Sequence, residues 1–381
     1  MQHSTGLKPF PRPIGPAVVA IPVKDEAERI EACVRALGAQ RGATADTVVL
    51  VVNNTRDGSA QIARSLAPAV PFALEVIEHE FPPQIACAGR ARRMAMERAA
   101  EIAGEGGVLL ASDADGAVAP DWLARNLGHL ARGAEAVCGR AVLDPADEAR
   151  IPARLHDDDA RECAYAAALD EIAARLDPEP WDPWPRHAER SGASLCVTAG
   201  AYRRAGGMPA APLGEDRAFV AALRRVDARV RHATDVVVTV SGRVQGRAPG
   251  GMADTIRRRM ERADDWLDDT LEPAATAVRR AWLRGRLRPV FGARNRASAE
   301  IASIARALAM PGAEVALALE RPWFGEAWAS LEAQSPVLVR RRVAVGDLPA
   351  QMARAVRERD ALRVRDGVLA GESGLCDEAR A

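Results

Sequence analysis

The residues of this chain whose chemistry is easiest to read are two carboxylates in Ser112-Asp113-Ala114-Asp115-Gly116. They close the short apolar run Val108-Leu109-Leu110-Ala111, which reads as a buried strand ending in an Asp-Gly turn. Side chains alternate along an extended chain, so Asp113 and Asp115 leave the strand end on the same side. In an open α/β sheet, ligands bind at the carboxyl ends of the strands. Two carboxylates there suit a hard divalent cation, Mg²⁺ or Mn²⁺, which takes oxygen ligands and shares them with a substrate's phosphates. A surface turn rich in Asp is the alternative reading of the same residues.

The elements that must hold this pair come in alternation. Ala17 to Ile21, Val48 to Val52, Leu74 to Ile77 and Val108 to Ala111 read as strands. Helical stretches follow each of them, marked by Ile30, Val34 and Leu37, by Ile62 and Leu66, by Ala91, Ala95 and Ile102, and by Trp122, Leu123 and Leu127. Asp25 reads as the N-cap of the first helix, with Glu28 placed for a capping box. Four strand–helix alternations predict a doubly wound, mostly parallel sheet. A dinucleotide-binding fold would need a glycine-rich first turn. Here the first turn is Pro22-Val23-Lys24-Asp25-Glu26, without glycine and with two acids that repel phosphate.

Composition sets the outer limits. The 381 residues, 48% hydrophobic and 27% charged, are enough for a large core and two parts. Zero formal net charge argues against bulk capture of nucleic acid. The six cysteines form no C-x-x-C pair, so neither a zinc site nor a disulfide framework is indicated. The proline-rich start lacks the apolar core of a signal peptide, and a cytoplasmic location is expected. Past the fourth alternation, Ala136 to Gly139, Ser194 to Val197 and Val236 to Val240 read as further strands, and 143–190 as polar and helical. Beyond about Gly250 the chain turns helical. Arg279, Arg280, Arg284, Arg286, Arg288, Arg294 and Arg296 fall between Pro273 and Ala299 with no acid among them.

Four pieces in order resemble family 2 glycosyltransferases of the GT-A fold. They are Val19-Ala20-Ile21-Pro22-Val23-Lys24-Asp25-Glu26, Val52-Asn53-Asn54-Thr55-Arg56-Asp57-Gly58-Ser59, the D-x-D of Asp113-Ala114-Asp115, and Gly214-Glu215-Asp216, with Arg243 and Arg247 after the last strand. Asn53 stands where the family usually has Asp, and Val23 to Asp25 replace its usual first turn. The resemblance implies 17–248 as a catalytic domain, with a donor half 17–140 and an acceptor half 141–248. A tail (1–16) precedes it, and a helical region (249–370) and a second tail (371–381) follow.

By the same resemblance the substrate is a nucleoside-diphosphate sugar, and the product forms on an acceptor hydroxyl with inversion. Asp115 is then the ligand of Mn²⁺ or Mg²⁺, and Asp113 assists it or binds ribose. Pro22, Glu26, Asn53 and Asp57 line the nucleoside site, though helix-cap roles suit Glu26 and Asp57 as well. Asp216 is the general base, with Glu215 as its substitute and a helix N-cap as the competing role. Arg243 and Arg247 are placed for the diphosphate; Arg90, Arg92 and Arg93 read either as further diphosphate contacts or as a solvated helix face. Trp181, Trp184 and His187 fall in the segment that builds an acceptor site. The arginine-rich stretch 273–299 reads as packed on the catalytic domain with its arginines in solvent. Its alternative is contact with an anionic membrane near a lipid-linked acceptor at the inner face. The rival functions are a nucleotidyltransferase-like enzyme and a non-catalytic nucleotide-sugar-binding protein.

Overall fold

The computed structural model describes residues 15–247, 250–293 and 297–378. Its strands are β1 (Ala17–Val23), β2 (Thr47–Asn53), β3 (Ala73–His79), β4 (Val108–Ala111), β5 (Ala117–Val118), β6 (Ala136–Leu143), β7 (Leu195–Thr198) and β8 (Val230–Val240). The helices run α1 (Ile30–Gly38), α2 (Ser59–Leu66), α3 (Ala88–Ala103), α4 (Trp122–Ala131), α5 (Pro145–Glu148), α6 (Ala153–Leu176) and α7 (Ala199–Arg204). They continue as α8 (Glu215–Arg225), α9 (Met252–Glu261), α10 (Ala274–Gly292), α11 (Ser298–Leu308), α12 (Gly312–Ala318), α13 (Phe324–Gln334) and α14 (Leu348–Glu378).

Two compact units divide the chain. The first comprises residues to Pro152 together with Glu189–Glu261; the second is Ala153–Ala188 with Arg262 onward. This cuts across the expected boundaries: 153–188 joins the C-terminal helices and not the acceptor half, while 250–261 stays with the first unit. The expected tail from 371 is also helical, because α14 continues to Glu378; residues 379–381, most of the N-terminal tail, Arg294 and Arg296 lie outside the described residues.

The first unit is the expected α/β architecture. Its sheet has the order β3-β2-β1-β4-β7-β6-β8-β5. Strands β1 to β4 are parallel neighbours, with Val19 opposite both Val48 and Leu110. Strand β7 runs against β4 and β6, while β6 and β8 are parallel. Alternation splits the core between the two faces. Val19, Ile21, Val48 and Leu50 pack with α1, α2 and Trp122 of α4 on one side. Val18, Ala20, Val49 and Val51 face Ala91, Ala95 and Ala99 of α3 and Phe219 of α8 on the other.

One expected cap is wrong. Helix α1 begins at Ile30, with Arg29 at its N-cap position and no side-chain cap. Asp25 instead takes a left-handed backbone (φ +53°), and its Oδ1 accepts from the Arg56 amide at 2.8 Å. The tie to the next loop replaces the capping box.

The second unit is wholly helical and rich in arginine–carboxylate clusters. Helix α6 packs with α10 and α14 around Tyr165, Ile172, Leu271 and Ala355, and α10 to α13 close a second core around Leu287, Leu308 and Leu331. The arginines of α10 are not a solvated row. Arg280 is buried and forks onto Glu272 at 2.7 and 2.8 Å, also meeting Glu332. Arg288 holds Asp177 at 2.7 Å and Glu179 at 2.8 Å, and Arg284 meets both carboxylates. Arg279 and Arg286 remain exposed, Arg286 lying over the Trp282 ring at 4.9 Å. Among the described residues no single helix is long and apolar enough to cross a membrane.

Removing one member of a buried ion pair strands the other, at a cost of about 3–5 kcal/mol. Arg280→Ala should therefore lower the free energy of urea unfolding by that order, whereas Glu272→Gln with Arg280→Met, which removes both members of the pair, should cost much less. Equal losses in the two variants would show that packing, not charge pairing, sets the effect.

Candidate active site

The parallel strands bring the predicted residues to one edge of the sheet. Pro22 lies near the end of β1, opposite Val51. Asn53 ends β2, opposite His79, and Asp113 and Asp115 follow β4. The backbone of α3 comes very close to the loop that precedes α8: a Cβ on Gly89 would lie 2.1 Å from the Ala211 carbonyl oxygen and 3.2 Å from Glu215 Cβ. Only glycine permits that approach, and it seats Glu215 against α3.

Glu26 is buried and held from two directions. Its amide donates to Ser59 Oγ at 2.8 Å, and Arg243 forks onto its carboxylate, Nη1 to Oε2 at 2.8 Å. The same guanidinium stands 3.2 Å from Asp115 Oδ2. Arg243 is positioned by its neighbours: Asp147 accepts from Ser241 Oγ and from the Gly242 amide while pairing with Arg29 at 2.7 Å. Burial pushes the Asp147 carboxyl up, but those hydrogen bonds and the Arg29 charge outweigh it and hold the carboxyl below its ordinary range. Arg247 lies apart from this cluster, donating to the Asp25 carbonyl at 2.9 Å.

Asp113 and Asp115 differ in environment. Asp113 Oδ1 accepts from Arg92 Nη2 at 2.5 Å. Asp115 accepts no hydrogen bond among the described residues and pairs with Arg243 at 3.2 Å. Burial, with the Asp113 and Glu26 charges, pushes its carboxyl up to about 6, against the pull of Arg243 and Arg29. Such a carboxylate has negative charge to share. Among the described residues no three His, Cys, Asp or Glu side chains converge on a metal-sized point. The donor set fits a cation that takes one or two protein carboxylates and completes its shell with phosphate and water.

Sequence reasoning read Arg92 as a diphosphate contact or part of a solvated helix face; it is neither solvated nor free to reach a diphosphate. It is 5% exposed. Its Nε donates to Glu215 Oε1 at 2.9 Å, its Nη1 to the carbonyls of Ser112 and Gly192 at 3.3 and 3.1 Å, and its Nη2 to Asp113. Burial alone would lower its pKa; Asp113 and Glu215 outweigh that and raise it. A signal existed in the helix. Arg92 shares the i, i+4, i+7, i+11 stripe with Met96, Ala99 and Ala103, all buried.

The two acids at the start of α8 are thereby told apart. Glu215 is buried against Arg92, whereas Asp216 is half-buried, with Oδ2 accepting from the Gly192 amide at 2.8 Å and Oδ1 from the Arg217 amide at 2.7 Å. The N-cap position belongs to Gly214 (φ +70°) and not to Asp216. Asp57 serves its own turn: its carboxylate accepts from the Ala27 amide at 2.9 Å, the Ser59 amide at 3.0 Å and Ser59 Oγ. Asn53 is buried, its amide 3.5 Å from Asn54 Oδ1. Beside it a cleft of about 140 Å³ is lined by Val52, Asn54, Thr55, Glu78, His79 and Glu80. Trp181, Trp184 and His187 belong to the second unit; Trp184 is exposed, the other two half-buried.

The doubly wound sheet puts the paired carboxylates at the strand ends, where open α/β sheets bind their ligands. Residues 18–171 match the model of glycosyl transferase family 2. Over that stretch the chain is similar to family 2 glycosyltransferases, and glycosyl transfer is its class of reaction. The match includes Asp113 and Asp115; Glu215, Asp216, Arg243 and Arg247 lie beyond it.

Among solved structures, the chain is similar to the mannosyltransferase PcManGT of Pyrobaculum calidifontis, in complex with GDP-Man and Mn²⁺. The identity is 17%, with 97% of this chain and 89% of that one covered, at a TM-score of 0.41. TarS of S. aureus, in complex with UDP, is 13% identical over 91% of each chain, at a TM-score of 0.44. Glucosyl-3-phosphoglycerate synthase of M. tuberculosis, in complex with Mn²⁺, UDP-Glc and phosphoglyceric acid, is 15% identical over 67% of this chain and 82% of that one, at 0.37. At these scores the likeness assigns nothing to individual residues. No curated protein matches the chain in sequence.

The Asp115 carboxyl yields a prediction for the metal-free protein. Its folded pKa of about 6 exceeds the ordinary 3.8, so the folded state binds the proton more tightly than the unfolded one. Stability is therefore lost as pH rises from about 3.8 to about 6, and the penalty stays above that window. Its ceiling is on the order of 2–3 kcal/mol. Asp115→Asn should melt higher than wild type at pH 8 in the presence of EDTA, with the gap closing toward pH 4; a pH-independent gap would contradict the assignment.

Proposed function

We propose that the chain transfers a sugar from a nucleoside-diphosphate donor to an acceptor hydroxyl, with inversion and with help from Mn²⁺ or Mg²⁺. The observation that carries the reading is that Arg92 and Gly192 link Asp113 to Asp216 while Asp115 stands beside Arg243, so that each carboxylate has a different electrostatic setting. A divalent cation bound there supplies Lewis-acid neutralisation of the departing diphosphate. Asp115 is the carboxylate free to ligate it. Arg243 and Arg247 add positive charge at the strand end, and the cleft beside Asn53 offers a place for the base. Asp216 accepts the acceptor's proton as the new bond forms, its carboxylate oriented by the Gly192 amide. Glu215, committed to Arg92, is not the base. In-line attack from the side opposite the leaving diphosphate inverts the anomeric centre.

The test is thermal shift with UDP and GDP, with and without Mn²⁺. Metal-dependent stabilisation by one of them, abolished in Asp115→Ala, is expected; equal stabilisation in EDTA contradicts the reading. In Asp216→Asn the shape is kept and the proton acceptor lost, so kcat should fall about 10²–10⁴-fold with donor Kd unchanged. A fall below about tenfold removes Asp216 from the role.

A further inference from the structure

We infer that Arg92 is a positioning residue that fixes the distance between the donor-side carboxylates and the base. This rests on the roles given above to Asp113 and Asp216. The guanidinium touches Asp113 after β4 and the Gly192 carbonyl before β7, and Gly192 in turn donates its amide to Asp216. It also holds Glu215, the residue before Asp216, and the Ser112 carbonyl, the residue before Asp113. Each motif is thus gripped twice, once directly and once through its neighbour.

Gly192 packs directly against the guanidinium. A Cβ on Gly192 would lie 2.7–2.9 Å from Arg92 Cζ, Nη2 and Nε. A planar group with five donors in a fixed fork can serve two carboxylates and two carbonyls together; an ammonium carries the same charge but three donors on one atom. Because every donating nitrogen of Arg92 is already used inside the protein, its contribution to transfer is geometric. A misplacement of about 1 Å between reacting groups costs on the order of 10²-fold in rate.

Two substitutions displace Arg92 without changing the charge of the site. Arg92→Lys removes the fork, and Gly192→Ala crowds it. Release of nucleoside diphosphate is measured from UDP-glucose and GDP-mannose, beside the Kd of UDP and GDP with Mn²⁺ and the melting temperature. The expected result in both variants is a kcat about 10²-fold lower per folded molecule, with Kd for the nucleotide that wild type binds changed by less than about threefold. A lower melting temperature with kcat intact would make Arg92 a purely structural residue and overturn the inference. A weakened Kd with kcat intact would make it a donor contact and overturn it as well. If Arg92→Lys does not fold, Gly192→Ala decides alone. Wild-type enzyme that turns over neither donor and binds neither nucleotide would overturn the proposed function itself, an outcome distinct from unaltered kcat in variants of an active enzyme.

Discussion

The first unit is built around a crowding of like charge. Glu26, Asp113, Asp115 and Glu215 gather at the carboxyl edge of the sheet, where parallel strands leave little room to separate them. Crowded carboxylates, two of them buried, do not stay ionised without compensation. Two arginines provide it. Arg92 reaches from α3 to Asp113 and Glu215, and Arg243 reaches from the end of β8 to Glu26 and Asp115. Their division is uneven: Arg92 is saturated by protein groups, and Arg243 leaves Asp115 only partly neutralised. The site keeps a deficit of positive charge at one carboxylate.

The surrounding loops make sense as supports for that arrangement. The turn after β1 is tied to the turn after β2 through Asp25 with Arg56, Glu26 with Ser59, and Asp57 with Ala27. Asp147 links α1, through Arg29, to the start of the segment that carries Arg243. These contacts use residues whose types alone suggested ligand binding. In Asp57 the hydrogen bonds of the turn account for the carboxylate, with no ligand needed.

Much of this was legible in the sequence because it is local. Strand ends, the Asp113-Ala114-Asp115 turn and the Glu215-Asp216 pair are each a few consecutive residues, and period-2 and period-3.6 patterns place them on their elements. What was not legible depends on partners far along the chain. Arg92 reads as one arginine in a run of basic residues until Gly89 and Gly192 let α8 and the β7 approach close over it. The arginines of α10 read as solvated because their carboxylates, Asp177, Glu179, Glu272 and Glu332, lie elsewhere in the sequence. The boundary at 153 was missed for the same reason: α6 carries no composition break, and only its packing with α10 and α14 assigns it to the helical unit.

That last feature bears on how the protein is made. The helical unit is assembled from two pieces of chain that flank part of the first unit. On the ribosome α6 is complete at Leu176, but α10 does not begin until Ala274 and α14 not until Leu348. Through all that synthesis Tyr165, Ala168 and Ile172, fully packed in the finished protein, have no core to enter. An apolar helix face waiting in this way is a surface for chaperones and a risk of aggregation. For the same reason, cutting the chain after Glu261 would not isolate the first unit; it would leave a helix exposed in the middle of it.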